Sequence, residues 1–234
     1  MRWWRTGTIA VVVGLAALGV GSTVQSNYYT YGAGNAIPVD GRVVGDDVSV
    51  FPTTGRILMT TVELERLSLI DALSAWAGDG EMVHETRVSL RNRRTGIDEM
   101  ARSKSIALSV ALDRVDLDET PRATAHIDTT GIGGGSAGLA FALTLIDLLS
   151  PGELTGGHVV AATGTLDQDG RVGSVHGLAA KVVAARDRGA ELFMVPAAQL
   201  AEATSYAGSM TVIGVHTVDD ALEALRSRGG DPHW

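Results

Sequence analysis

Between Arg5 and Asp40 the chain carries no charge. Ile9–Val20 is the apolar heart of that stretch. As a helix, the run Thr6–Val24 (19 residues) would rise about 28 Å, close to a hydrocarbon core of ~30 Å. Trp3 and Trp4 precede the run, and Tyr28, Tyr29 and Tyr31 follow it. The helical distance from Trp4 to Tyr28, about 36 Å, suits two interfacial aromatic belts. Arg2 and Arg5 lie before the span and the next basic residue is Arg42. The positive-inside rule then predicts a single-pass anchor in the cell membrane, with the N-terminus cytoplasmic and the body extracytoplasmic. A cleaved signal peptide is the rival, since a core of this length also fits an h-region. Against it, no clear A-x-A site follows, and a signal peptide has no use for the tyrosines. The body is exported on either reading.

Beyond a Gly/Pro-containing linker (Gly32–Gly45), Arg56–Glu63 reads as a strand and Ser68–Ala77 as a short helix stopped by Gly78-Asp79-Gly80. Glu81–Arg94 is polar and ambiguous. Thr95 with Asp98 resembles a capping box opening a helix to about Leu112. A regular alternation follows. Strands are predicted at Arg122–Asp128, His158–Leu166, Glu191–Val195 and Met210–Val215. Helices are predicted at Ser136–Leu149, Leu178–Arg188, Ala197–Thr204 and Val218–Arg228. Asp167-Gln168-Asp169-Gly170 is a turn signal, and Gly189 and Gly229 close two of the helices. The expectation is an α+β protein in four parts. Residues 1–31 form the cytoplasmic tip and anchor, 32–119 a linker with an N-terminal α/β segment, 120–229 a compact domain, and 230–234 a tail.

Composition narrows the chemistry. A net charge of −8 with a pI near 5.2 leaves no basic surface for nucleic acid. The absence of cysteine removes disulfides, zinc–thiolate sites, iron–sulfur clusters and a cysteine nucleophile. Among the 19 basic residues only Lys104 and Lys181 are lysines. Where arginine serves every ordinary positive charge, a surviving lysine marks a place that needs what arginine cannot do, such as shedding a proton.

Four of the five residues before Ser136 are glycines, in Gly131-Ile132-Gly133-Gly134-Gly135. A serine at a glycine-lined helix start has unpaired backbone N–H groups around it and the positive end of the helix dipole beneath, which suits oxyanion binding in acyl transfer. An ordinary N-cap would give the same string. A phosphate-binding loop is the weaker reading, because no G-x-x-x-x-G-K-[ST] occurs. The spelling Gly134–Gly138 also fits the nucleophile elbow of α/β-hydrolases, with His176 or His216 downstream. No HGGG-type loop precedes it, only 98 residues follow the serine, and the sheet before the elbow would have to come from sparse sequence, so an α/β-hydrolase-type esterase is the lesser alternative. The other candidate base is Lys181, with Leu178, Ala184 and Ala185 on the apolar side of its helix. Desolvation there would ease proton acceptance.

Ser136-Ala137-Gly138, Thr163-Gly164, Gly170-x-Val172 and Gly177-Leu178-Ala179-Ala180-Lys181 with Ala184-Ala185 together resemble the proteolytic domain of Lon proteases. The likeness is stronger to the membrane-anchored, ATPase-free branch, through Gly164-Thr165-Leu166-Asp167 and Gly189–Pro196. It covers about residues 120–228 and implies a Lon proteolytic-domain fold with βα units and a mixed sheet. By position it implies Ser136 as nucleophile and Lys181 as general base, with Thr163 bonded to the lysine. Backbone around Gly134, Gly135 and Ala137 would hold the oxyanion. No metal or cofactor is implied. The partners implied are protein or peptide substrates and a homo-oligomer.

The chain departs from the family's pattern in three ways. Gly135 replaces the usual proline, and Ser174 and His176 replace the usual proline and glycine. The branch's PDZ domain is also missing, although residues ~56–116 resemble the segment that precedes it, including Leu58–Val62 and Met100-Ala101-x-Ser103. His176 and His126 are possible site-lining residues, each with a plainer reading, His176 as a solvent-facing and His126 as a half-buried strand histidine. The resemblance therefore leads to an ATP-independent serine endopeptidase acting on flexible or unfolded proteins. Gly135 and the missing PDZ leave a catalytically weak scaffold as the alternative.

Overall fold

The computed structural model describes residues 22–39, 41–44, 50–78, 81–85, 90–115 and 124–232. Along the chain these form β1 (Gln25–Gly32), β2 (Ala36–Pro38), β3 (Gly41–Val44), β4 (Arg56–Thr60), β5 (Glu63–Ser68), α1 (Leu69–Ala77), β6 (Met82–His84), α2 (Leu90–Leu112), β7 (Thr124–Ile127) and α3 (Gly138–Leu149). Then come β8 (Gly152–Glu153), β9 (Val159–Ala162), β10 (Thr165–Leu166), β11 (Val172–Gly173), α4 (Leu178–Asp187), β12 (Leu192–Pro196), α5 (Leu200–Tyr206), β13 (Thr211–Val215), α6 (Val218–Arg226) and β14 (Asp231–Pro232). A 3₁₀ turn, Ala197–Gln199, leads into α5.

The chain separates into two compact units, one of residues 1–32 and 63–92, the other of residues 33–62 and 93–234. In the first, β1 is the centre of a three-stranded antiparallel sheet in the order β5-β1-β6. Helix α1 begins at Ser68, whose hydroxyl accepts from Asp71 N, and packs on this sheet through Ala72.

The larger unit is built on a five-stranded sheet in the order β13-β12-β9-β4-β2, parallel except for the edge strand β2. Its strands are apolar in unbroken runs because both faces are covered. Alternate residues divide between the faces. Ile57, Met59, Val160, Ala162, Leu192 and Met194 join α3 and α6 in one cluster. Leu58, Ala161, Phe193 and Val195 join Leu178, Val182 and Ala185 of α4 and Ala203 of α5 in the other. Apart from Thr144 and Asp147, helix α3 is apolar, and every residue in it but Leu148 is buried.

Its one ionisable residue is Asp147, 6% exposed. Burial raises its carboxyl to a pKa of about 6, against the pull of Leu154 N–H, which donates to Oδ1 at 2.9 Å. Glu153 goes the other way. Despite partial burial it is held at about 2 by hydrogen bonds from the N–H groups of Thr54 and Gly55 and the hydroxyls of Thr155 and Thr54.

Several expectations need correcting. Tyr28, Tyr29 and Tyr31 lie in strand β1, and helix ends by Thr23, so the tyrosines are not the far belt of one continuous helix. The apolar heart of the run, Ile9–Val20, lies outside the described residues; among those described, no helix is long and apolar enough to cross a membrane. The expected linker contains β2 and β3, and β3 pairs antiparallel with β7. Arg56–Glu63 is not one strand, since β4 ends at Thr60 and β5 starts a separate sheet. Helix α2 starts at Leu90, which leaves Thr95 and Asp98 inside it rather than at its cap. His158–Leu166 breaks after Ala162 into β9 and β10, and β10 turns back on β11 through Asp167–Gly170. The tail includes β14, paired with β8. The stop at Asp79-Gly80, the start of the predicted strand at Arg122 and the last two residues of the tail lie outside the described residues.

Candidate active site

Ser136 does not cap α3. The helix begins at Gly138, Ala137 occupies the cap position (φ −93°, ψ 2°), and no side chain bonds the first turn. The serine hydroxyl is thereby left to face the neighbouring helix, where Lys181 Nζ donates to Ser136 Oγ at 2.8 Å. Lys181 is 2% exposed and belongs to the buried side of α4 with Leu178, Val182, Ala184 and Ala185. Gly177 caps that helix in the left-handed region (φ 65°), and its carbonyl accepts from Lys181 N.

Thr163, fully buried, completes the group. Its Oγ1 donates to the carbonyl of Ser136 at 3.2 Å and accepts from Lys181 Nζ at 3.5 Å. Gly164 N donates to the same Ser136 carbonyl at 2.8 Å, while Thr163 N donates to Met194 O. Serine backbone, threonine and lysine are thus tied to the central sheet at the point where β9 leaves it.

The glycine loop rests on α2. Gly134 N donates to Gly96 O at 2.8 Å, and Ser103 Oγ donates to Gly135 O at 3.2 Å. Gly96 and Ser103 are seven residues apart, two turns along one helix face. A Cβ on Gly133 would come within 3.3–3.5 Å of the Gly96 backbone, a tight approach that favours glycine at position 133. Gly134 has φ +96°, whereas Gly135 has ordinary backbone and open surroundings. Because the Gly134 amide is already bonded, an oxyanion would have to be met by the amides of Gly135, Ser136 or Ala137. One step upstream, Lys104 Nζ donates to Ile127 O at 3.3 Å and to Thr129 Oγ1 at 3.0 Å. Both lysines of the chain therefore serve this loop.

His176, immediately before the cap of α4, is exposed, and His126 is an exposed residue of β7. His216, the other base considered for a hydrolase, has an 82% exposed side chain 3.5 Å from Asp220. The structure brings Ser136, Lys181 and Thr163 together. Gly134, Gly135 and Ala137 line the loop.

Gly96, Ser103 and Gln199 went unassigned in the sequence reading. The amide of Gln199 brackets Val175, accepting from its N–H at 2.8 Å and donating to its carbonyl at 3.0 Å, which fixes the approach to α4. Ser103 was visible only inside the quoted Met-Ala-x-Ser string. Gly96 and Gln199 had no spacing signal at all. An open groove of about 1020 Å³ lies between Ala101, Arg102, Ser105 and Ile106 of α2 and the turn Leu166–Asp169. Leu166 also packs against Gly138 at the start of α3. Among the described residues no group of acidic or histidine side chains could hold a metal ion.

The mixed α+β domain around this serine belongs, by family comparison, to a class of serine-type peptidases. Comparison with protein families matches residues 98–227 to the Lon protease (S16) C-terminal proteolytic domain. That is more than half of the chain, and the chain belongs to this family. No curated protein matches it.

Proposed function

We propose that the protein is a membrane-anchored serine endopeptidase that cleaves flexible or unfolded proteins outside the cytoplasm without ATP, using Ser136 and Lys181 as a dyad. The observation that carries this reading is the 2.8 Å approach of Lys181 Nζ, a buried amine, to Ser136 Oγ. A buried amine is easier to keep neutral than one in water, and a neutral amine at this distance takes the hydroxyl proton as the serine attacks. The substrate carbonyl oxygen becomes an oxyanion facing the amides around Gly135 and Ser136. Lys181 then gives its proton to the leaving amine, and Ser136 is left acylated. A water molecule, deprotonated by the same lysine, releases the acid and restores the serine.

Substrate in extended form suits the open groove between α2 and the Asp167–Gly170 turn. The chain has no nucleotide-binding G-x-x-x-x-G-K-[ST], which is the basis for ATP independence. The anchor rests on the apolar run Thr6–Val24 and the basic residues before it.

The test is cleavage of a permanently unfolded protein by the full chain in detergent, without ATP, across neutral to alkaline pH. Activity should rise into the alkaline range, and Ser136→Ala and Lys181→Ala should each lower it by about a thousandfold or more. Undiminished cleavage by Lys181→Ala would remove the dyad. A requirement for ATP would remove the independence.

A further inference from the structure

Helix α1 carries an apolar stripe that no described residue of its own unit covers. Leu69 is 43% exposed, Leu73 65% and Trp76 77%. They stand at i, i+4 and i+7, one above another on a single face, and Ala72, on the flank of that face, is buried toward the sheet. The only charged residue in the helix is Asp71, near its capped start.

The stripe has a definite address. Leu69 N donates to Val24 O at 2.9 Å, so the first turn of α1 is hydrogen-bonded to the last residue of the apolar run Thr6–Val24. Val24, itself 43% exposed, passes directly into β1. If residues 6–24 cross a bilayer, α1 starts where the chain emerges from it, and its exposed face meets the headgroup boundary. Trp is the side chain that favours that boundary, and leucines one and two turns away supply apolar area beside it.

We infer that α1 is a second membrane contact: its Leu69–Leu73–Trp76 face inserts into the interfacial layer of the bilayer that the N-terminal segment spans. The occupant is the lipid surface. The contact is apolar rather than electrostatic, since the helix itself carries no basic residue for anionic headgroups. Its effect would be to hold the small unit flat on the membrane instead of leaving it to swing on a single tether. The inference rests on the anchor reading above.

The experiment uses the full chain reconstituted into zwitterionic phosphatidylcholine vesicles, with Trp3, Trp4 and Trp234 changed to Phe so that Trp76 alone reports. Flotation with the vesicles tests the anchor. Quenching of Trp76 by phosphatidylcholine brominated near the headgroup end of its chains tests the inference. The expected result is flotation, blue-shifted emission and strong quenching that added salt does not weaken. Leu69→Gln with Leu73→Gln, both exposed positions that should fold normally, should reduce the quenching several-fold while flotation persists. Flotation with water-like, unquenched Trp76 emission would overturn the inference and leave the anchor standing. Blue-shifted but unquenched emission, together with crosslinking between copies at this face, would assign the stripe to a second copy and also overturn it. Failure to float would remove the anchor and the inference together.

Discussion

The Thr163 hydroxyl holds Ser136 by its backbone, donating to the serine carbonyl at 3.2 Å, and at the same time stands 3.5 Å from the lysine that faces the serine side chain. One hydroxyl has one proton and two lone pairs, so both bonds can be made together. Thr163→Val keeps the volume and removes both. The expected result is a fall in kcat of about ten- to a hundredfold with KM little changed, largely rescued by Thr163→Ser. Unchanged kcat in the valine variant would mean that Gly164 N suffices to hold the serine.

Adjacent glycines in the serine loop should behave differently. Gly134 has φ +96°, where a side chain costs about 1–2 kcal/mol even though no atom blocks it. A Cβ on Gly135 would sit 3.8 Å from the Thr165 methyl, an ordinary contact. Gly135→Ala should therefore match wild type in activity and melting temperature, and Gly134→Ala should lose both. Steady-state kinetics with thermal melts on the pair would decide. Equal damage at both positions would mean that Gly135 is needed for its freedom of motion.

Gln199 acts through the backbone of Val175. Removing its amide in Gln199→Ala leaves a largely buried N–H and C=O without partners, a loss of about 1–3 kcal/mol. Because Val175 leads into the lysine helix, kcat should fall as well as stability. Gln199→Glu should be no better, since a carboxylate would face the Val175 carbonyl. Chemical unfolding with kinetics on both variants checks this.

How much of this was readable beforehand differs between elements, for physical reasons. Apolar helices and fully buried strands, such as α3 and β12, are visible because burial on all sides leaves a nearly continuous hydrophobic signature. The serine–lysine pair could be read from local motifs, each tied to its own helix start. Strands β2 and β3 were hidden because three or four residues at an edge leave almost no pattern. The Thr95–Asp98 box misled because a capping signal is local and the same residues are compatible with the interior of a longer helix. The supports from Gly96, Ser103 and Gln199 are contacts between distant segments, and no spacing encodes them.

Stability should depend on pH through Asp147. Its carboxyl titrates near 6 when folded against 3.8 for the free side chain, so between those values the folded chain binds more protons than the unfolded one. Stability is therefore favoured at the acid end and falls by about 2–3 kcal/mol as pH rises from 4 to 6. Asp147→Asn keeps an oxygen for Leu154 N–H and carries no charge. It should melt several degrees higher than wild type at pH 8 and at nearly the same temperature at pH 4. A constant difference across that range would mean that the carboxylate is stabilised by a partner other than Leu154.

The vacant cap of α3 also separates two properties that are often entangled in an enzyme. The Ser136 hydroxyl bonds no backbone amide of the helix it precedes, and α3 is held by burial on every side. Removing that one oxygen should leave the groove, the glycine loop and the sheet as they are. Ser136→Ala would then be a well-folded bait: a chain that still engages its substrates but cannot release them as fragments, so that what it retains in cells would name its natural targets.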